Sequence, residues 1–122
     1  MISRVVIVGA TPNQHRYAFM AGEMLMRYGY KIIPVGIKKG ELFGEKILNI
    51  RQSPPIENVD TITMYIGKKH QPEYYDYLLS LAPKRIIFNP GTENEEFYKK
   101  TEESNIEIIE GCTLVMLRSG EF

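Results

Sequence analysis

Apolar runs of four to six residues alternate along this chain with longer stretches in which apolar positions recur at helical spacing. Val5-Val6-Ile7-Val8 is unbroken and β-branched, the pattern of a strand buried on both faces. Residues 17–28 set Phe19-Met20, Met24-Leu25 and Tyr28 near the helical period, and Gly29 stops the helix they predict. Residues 31–35 predict the second strand. Residues 40–49, with Gly40 and Gly44, predict a loop or short hairpin, and Ser53-Pro54-Pro55 breaks the chain again. A third strand is predicted at 61–66 and a helix at 71–82, with Tyr74, Tyr77, Leu78 and Leu81 on one side. Residues 84–88 read as a fourth strand, 93–104 as a helix and 106–109 as a fifth strand. Asn94, Glu95 and Glu96 near the start of that helix suit its dipole. The apolar stretch 112–117 is either a short extra strand or a helical turn.

Strand and helix alternate throughout, which predicts a doubly wound α/β fold: a parallel sheet of about five strands in three α/β/α layers. Right-handed crossovers predict a central first strand, with the chain turning to the other side after the third. In such sheets ligands bind beyond the carboxyl ends of the strands, where the strand order reverses. The turn after Val8 lies there, as do the strand ends near Gly36, Tyr65 and Asn89.

Composition narrows the partners. The 122 residues fit one domain, 1–122, with no visible linker or repeat. Lys plus Arg is 15 and Asp plus Glu is 15, a neutral balance that disfavours non-specific nucleic-acid binding. The one cysteine, Cys112, excludes an internal disulfide framework and a cysteine-based metal cluster. No signal-peptide pattern precedes Arg4, and no apolar run approaches the roughly 18 residues that span a bilayer. The expectation is a cytoplasmic protein that engages neither nucleic acid nor membrane.

Gly9-Ala10-Thr11 leads from the first strand towards the first helix. Such a turn brings backbone N–H groups and a helix N-terminus to a phosphate, and Thr11 adds a hydroxyl or a cap. Pro12 begins a longer approach that ends at Arg16, which is either within reach of a phosphate or a solvated first-turn residue. The strict G-x-G-x-x-G fingerprint is absent, so an ordinary tight turn is the bland alternative. An NAD site wants an acid at the end of the second strand. Val35-Gly36 stands there instead, followed by Lys38 and Lys39. Acid missing and base present point to a phosphorylated ribose, as in NADP or coenzyme A, unless both lysines are merely solvated.

Longer motifs add a resemblance. Val5-Val6-Ile7-Val8-Gly9-Ala10-Thr11-Pro12-Asn13 matches V-x-V-V-G-A-[ST]-x-[ND]. Gly29-Tyr30-Lys31-Ile32-Ile33-Pro34-Val35, then Lys38, Gly40-Glu41 and Gly44, matches a second and more specific motif. Asp60-Thr61-Ile62-Thr63-Met64-Tyr65 matches a third, and Cys112 a cysteine after the fifth strand. Over nearly its whole length the chain resembles the small single-domain CoA-binding proteins, relatives of the CoA-binding domain of the succinyl-CoA synthetase α-subunit. The resemblance implies a Rossmann-like fold holding coenzyme A or an acyl-CoA. Its diphosphate would lie over Gly9, Ala10 and Thr11, and its adenosine and phosphate near Gly36, Lys38 and Lys39. Tyr65 and Ile66 would wall the site. Gly36-Ile37 stands where members carry Asn-Pro, Ile66 where they often carry Arg, and Asn89 where they often carry Gln. The candidate set is therefore Gly9, Ala10, Thr11, Pro12, Arg16, Val35, Gly36, Lys38, Lys39, Tyr65, Ile66 and Asn89.

No paired carboxylates, Ser-His-Asp set or metal-ligand spacing stands out, so the expectation is a binding protein and not an enzyme. Two rivals share the same residues. One is an NADP-binding oxidoreductase subunit, which would need room for a second substrate. The other is a regulatory or scaffold protein with a degenerate nucleotide pocket. Cys112 is either a reactive thiol, open to a mixed disulfide with coenzyme A, or buried and inert. Tyr74, Tyr75 and Tyr77 serve packing or a homodimer face rather than a base-stacking platform, and His15 and His70 lack partners in sequence.

Overall fold

Six parallel strands form one sheet. The computed structural model describes residues 2–122. The strands are β1 (Arg4–Val8), β2 (Lys31–Gly36), β5 (Leu48–Asn49), β6 (Thr61–Met64), β7 (Arg85–Phe88) and β8 (Glu107–Glu110), and they lie across the sheet in the order β5-β2-β1-β6-β7-β8. A separate hairpin pairs β3 (Glu41–Leu42) with β4 (Glu45–Lys46). Its turn residues Phe43 and Gly44 both have positive φ, 50° and 84°, as a tight hairpin of this hand requires. The helices are α1 (Tyr17–Arg27), α2 (Tyr75–Ser80), α3 (Glu95–Glu103) and α4 (Thr113–Ser119).

Alternate strand residues feed opposite faces, so the sheet needs two cores. Val6, Val8, Ile33, Val35, Ile62, Met64, Ile86 and Phe88 pack with Tyr75, Leu78 and Phe97 from α2 and α3. Val5, Ile7 and Ile32 pack with Ala18 and Leu25 of α1, Leu117 of α4 and Leu42 of the hairpin. The result is the three-layer Rossmann-like arrangement, with α1 and α4 on one face and α2 and α3 on the other. Burying each Val, Leu, Ile, Met or Phe among them fully contributes roughly 1.5–3 kcal/mol.

Two expectations needed correction. Leu48-Asn49, at the end of the predicted loop or hairpin, pairs with Val35 and Gly36 to form a sixth strand at the edge. The chain therefore crosses back over β1 before 61–66, not after it. The helix predicted at 71–82 is regular only in α2, because Lys68–His70 and Pro72–Tyr74 are turns of 3₁₀-helix. The side chain of Gln71 is drawn inward by the carbonyls of Ile66 and Thr92, at 2.8 Å each, and this holds the chain in tight turns. The stretch 112–117, left between strand and helix, is helical. The start and stop signals of the other helices are visible in place. Tyr30 N–H donates to Leu25 and Gly29 N–H to Met26, closing α1 with a Schellman motif, and Asn94 Oδ1 accepts from Phe97 N–H to cap α3.

Candidate functional site

The strand order reverses between β1 and β6, and a cleft of about 900 Å3 opens there at the carboxyl ends of the strands. One wall is the turn after β1, from Gly9 to Asn13, continuing to Arg16, Tyr17 and Ala18 at the start of α1. A second is the end of β2, with Gly36, Ile37, Lys38 and Lys39. Tyr65, Ile66, Gly67 and His70 follow β6, and Pro90, Gly91 and Thr92 follow β7. Arg51, Glu73 and Tyr74 complete the lining.

The β1 turn is held from below. The N–H groups of Gly9 and Ala10 both donate to the Val35 carbonyl, at 2.9 and 3.1 Å. Gly9 has φ +97°, and a Cβ there would meet the Tyr65 carbonyl carbon at 3.0 Å. A Cβ on Gly36 would lie 2.9 Å from the Ala10 carbonyl oxygen. Both glycines are thus required by close approach of backbone to backbone. The diphosphate cradle read onto Gly9-Ala10-Thr11 is narrower than expected, since two of those amides already have an acceptor. Among the described residues, the N–H groups of Thr11, Tyr17 and Ala18 find none, so the helix end carries most of the anion-binding capacity. Arg16 stands at the N-cap of α1 and offers no side-chain cap of its own.

Charge distinguishes the cleft from the neutral whole. Arg16, Lys38, Lys39 and Arg51 line it, against the single carboxylate of Glu73. Among the described residues, the ion pairs are Arg27–Glu23, Lys31–Glu45 and Lys84–Asp60, so none of these four cations has an anionic partner. A smaller cavity of about 520 Å3 beside α2 is lined by Glu57, Glu73 and Asp76, the wrong sign for a phosphate.

The expected site residues divide. Gly9, Ala10, Thr11, Pro12, Arg16, Gly36, Lys38, Lys39, Tyr65 and Ile66 all line the cleft. Val35 and Asn89 do not. Val35 is fully buried and contributes only the carbonyl under the turn. Asn89, also buried, turns into the sheet: its Nδ2 donates to Thr63 Oγ1 and the Met64 carbonyl, and its Oδ1 accepts from Thr113 N–H. Thr63 and Thr113 share a further hydroxyl bond of 2.8 Å. The Tyr65 hydroxyl lies against both threonines, and burial pushes its pKa up to about 12. Tyr74 and Tyr75 are buried, and Tyr77 is half-buried and donates to the Pro54 carbonyl at 2.6 Å, so all three serve packing. Arg51, His70 and Glu73 line the cleft as well, outside the expected set. Arg51 follows a two-residue strand that no periodicity reveals, whereas the basic run Lys68-Lys69-His70 beyond the third strand was a signal within reach.

A family model described as CoA binding domain matches residues 3–118. The chain belongs to the CoA binding domain family. A crystal structure described as that of an uncharacterized protein shares 52% identity, with a TM-score of 0.95 over 100% of this chain and 99% of that one. Two more distant structures show the fold alone. A protein of Thermus thermophilus is 21% identical, with a TM-score of 0.82 over 99% of this chain and 91% of its own. A dinucleotide-forming acetyl-coenzyme A synthetase 1 of Ca. Korarchaeum cryptofilum, in complex with phosphate and ADP, is 18% identical, with a TM-score of 0.73. That match covers 89% of this chain and 25% of the synthetase. A comparison with curated proteins gives no match. Among the described residues no helix is long and apolar enough to cross a membrane, and no group of His, Cys, Asp and Glu is arranged to hold a metal.

Proposed function

We propose that this chain is a coenzyme A carrier that holds coenzyme A or an acyl-CoA in the cleft and performs no chemistry on it. The observation that carries the reading is the set of four unpaired cations around a cleft in a chain of this family. Coenzyme A brings a diphosphate and a ribose phosphate, and charge-assisted bonds to phosphate are about twice as strong as neutral ones. The unsatisfied amides at the start of α1 suit the diphosphate, and the cations of the β2 side suit the ribose phosphate. The titratable groups lining the cleft are its four cations, His70, Glu73 and the tyrosines Tyr17, Tyr65 and Tyr74, with burial holding the Tyr65 hydroxyl protonated. The cations of that set outnumber its one carboxylate, which supports holding an anion.

Thermal denaturation with coenzyme A, acetyl-CoA, NADP and NAD tests the reading. Coenzyme A and acetyl-CoA should both raise the melting temperature by mass action, and NAD should not. A clear shift with NADP and none with millimolar coenzyme A would replace the reading with an NADP-binding subunit. No shift with any of the four would favour a degenerate pocket.

A further inference from the structure

We infer that Arg51 is the residue by which this site tells a ribose-phosphorylated ligand from its dephosphorylated form. The inference rests on the coenzyme A reading and adds a residue to it. Asn49, the last residue of β5, pairs in register with Gly36, so the chain after β5 emerges beside the end of β2. In sheets of this kind that is where the ribose of a nucleotide is read. Arg51 follows two residues later, lines the cleft with Lys38 and Lys39, and has no anionic partner among the described residues.

What separates Arg51 from the lysines is its support. It sits in a 3₁₀ turn, Ile50–Gln52, fixed at three points. Ile50 is 1% exposed and anchors the turn in the core. Asn49 Oδ1 accepts from Arg51 N–H at 3.0 Å, and Ser53 N–H donates to the Ile50 carbonyl at 3.1 Å. Lys38 and Lys39 extend from an exposed bend. Guanidinium presents a planar fork that matches two phosphate oxygens at once, whereas an ammonium is a mobile point charge. A fork on a fixed backbone loses less freedom on binding, so it discriminates better than the lysines do.

Calorimetric titration of the full chain with coenzyme A and with 3′-dephospho-CoA decides the matter. Wild type should prefer coenzyme A. Arg51→Ala should weaken coenzyme A by roughly tenfold and leave 3′-dephospho-CoA nearly unchanged, the loss expected for a bond to a charged group. Arg51→Lys should recover only part of the preference. The unliganded melting temperature of both variants should match wild type, because the side chain is exposed. A wild type that binds coenzyme A, with a ligand preference that Arg51→Ala leaves unaltered, overturns this inference and spares the carrier reading. A wild type that binds neither ligand overturns both.

Discussion

The carboxyl edge of the sheet is finished in two different ways on either side of its midline. Beyond β1 and β2 the backbone closes on itself: Gly9 and Ala10 bond to Val35, Gly36 runs so near Ala10 that a Cβ would not fit, and the charged side chains are left without partners. Beyond β6 and β7 the side chains do the closing. Asn89, Thr63 and Thr113 form one network, and Gln71, Asn94 and Tyr75 another, with Asn94 Nδ2 donating to Gln71 Oε1 and the Tyr75 hydroxyl. Among the described residues no buried side-chain polar atom lacks a partner. The difference teaches where a ligand has something to gain. A group already satisfied offers little, while an unpaired cation offers the full attraction. The half of the edge built from backbone is therefore the half left free for recognition.

The largest effect that could break this division is on the closed half. Asn89→Ala removes three hydrogen bonds and strands Thr113 N–H in the interior. The expected cost is about 3 kcal/mol, a drop of roughly 10 °C in melting temperature. Coenzyme A affinity of the protein that remains folded should hardly change. A variant of full stability with lost binding would return Asn89 to the site. Next comes Gly36→Ala. Its methyl would lie 2.9 Å from the Ala10 carbonyl oxygen, backbone that cannot swing aside. Overpacking of this kind costs roughly 1–3 kcal/mol. Because the strain falls on the turn that lines the cleft, denaturation midpoint and coenzyme A affinity should fall together. Loss of either one alone would uncouple the turn from the site.

Lys38→Ala with Lys39→Ala is the complementary change on the open half. Coenzyme A affinity should fall by about tenfold, less at high salt, where the charges are already screened. The unliganded melting temperature should stay within about 2 °C of the parent, since exposed cations without partners contribute little to stability. A binding constant that ignores both substitution and salt would mean that the lysines face only water.

The contrast between the halves also explains which parts were legible in the sequence. Unbroken runs such as Val5–Val8 and Ile86–Phe88 announce buried strands, and alternation of strands with helices announces the layers, because both signals are local. Leu48-Asn49 is too short to carry a period and becomes a strand only through Val35 and Gly36, thirteen residues earlier in each pair. Arg51 was invisible for the same reason. Asn89 reads as a site residue in the sequence because it follows a strand. Its true partner, Thr113 N–H, lies 24 residues further on, and nothing near Asn89 foretells it. The capture of the Gly9 and Ala10 amides by Val35 is likewise a contact between elements. What sequence could show was which residues stand at the edge, not which of them the fold had already satisfied.

Tyr65 sits on the boundary, its ring lining the cleft and its hydroxyl against Thr63 and Thr113. Burial raises its pKa from 10.0 to about 12, and the two threonines and the Cys112 thiol only modulate that. Tyr77 is raised to about 12 by burial as well. A raised pKa means that the folded state holds the proton more tightly than the unfolded chain does. Below pH 10 both states are protonated and the contribution is constant. Between pH 10 and about 12 the unfolded chain ionises first, so stability falls as pH rises through that window. Urea midpoints at about pH 8 and about pH 11 measure the fall. Tyr65→Phe should make it shallower, and Tyr65→Phe with Tyr77→Phe shallower again. Coenzyme A at saturation should leave the Tyr65 part of the slope in place, because the hydroxyl faces the threonines and not the ligand. A Tyr65→Phe variant with the parent's alkaline slope would show that water reaches the hydroxyl, and that the closed half of the edge is not sealed where it meets the cleft.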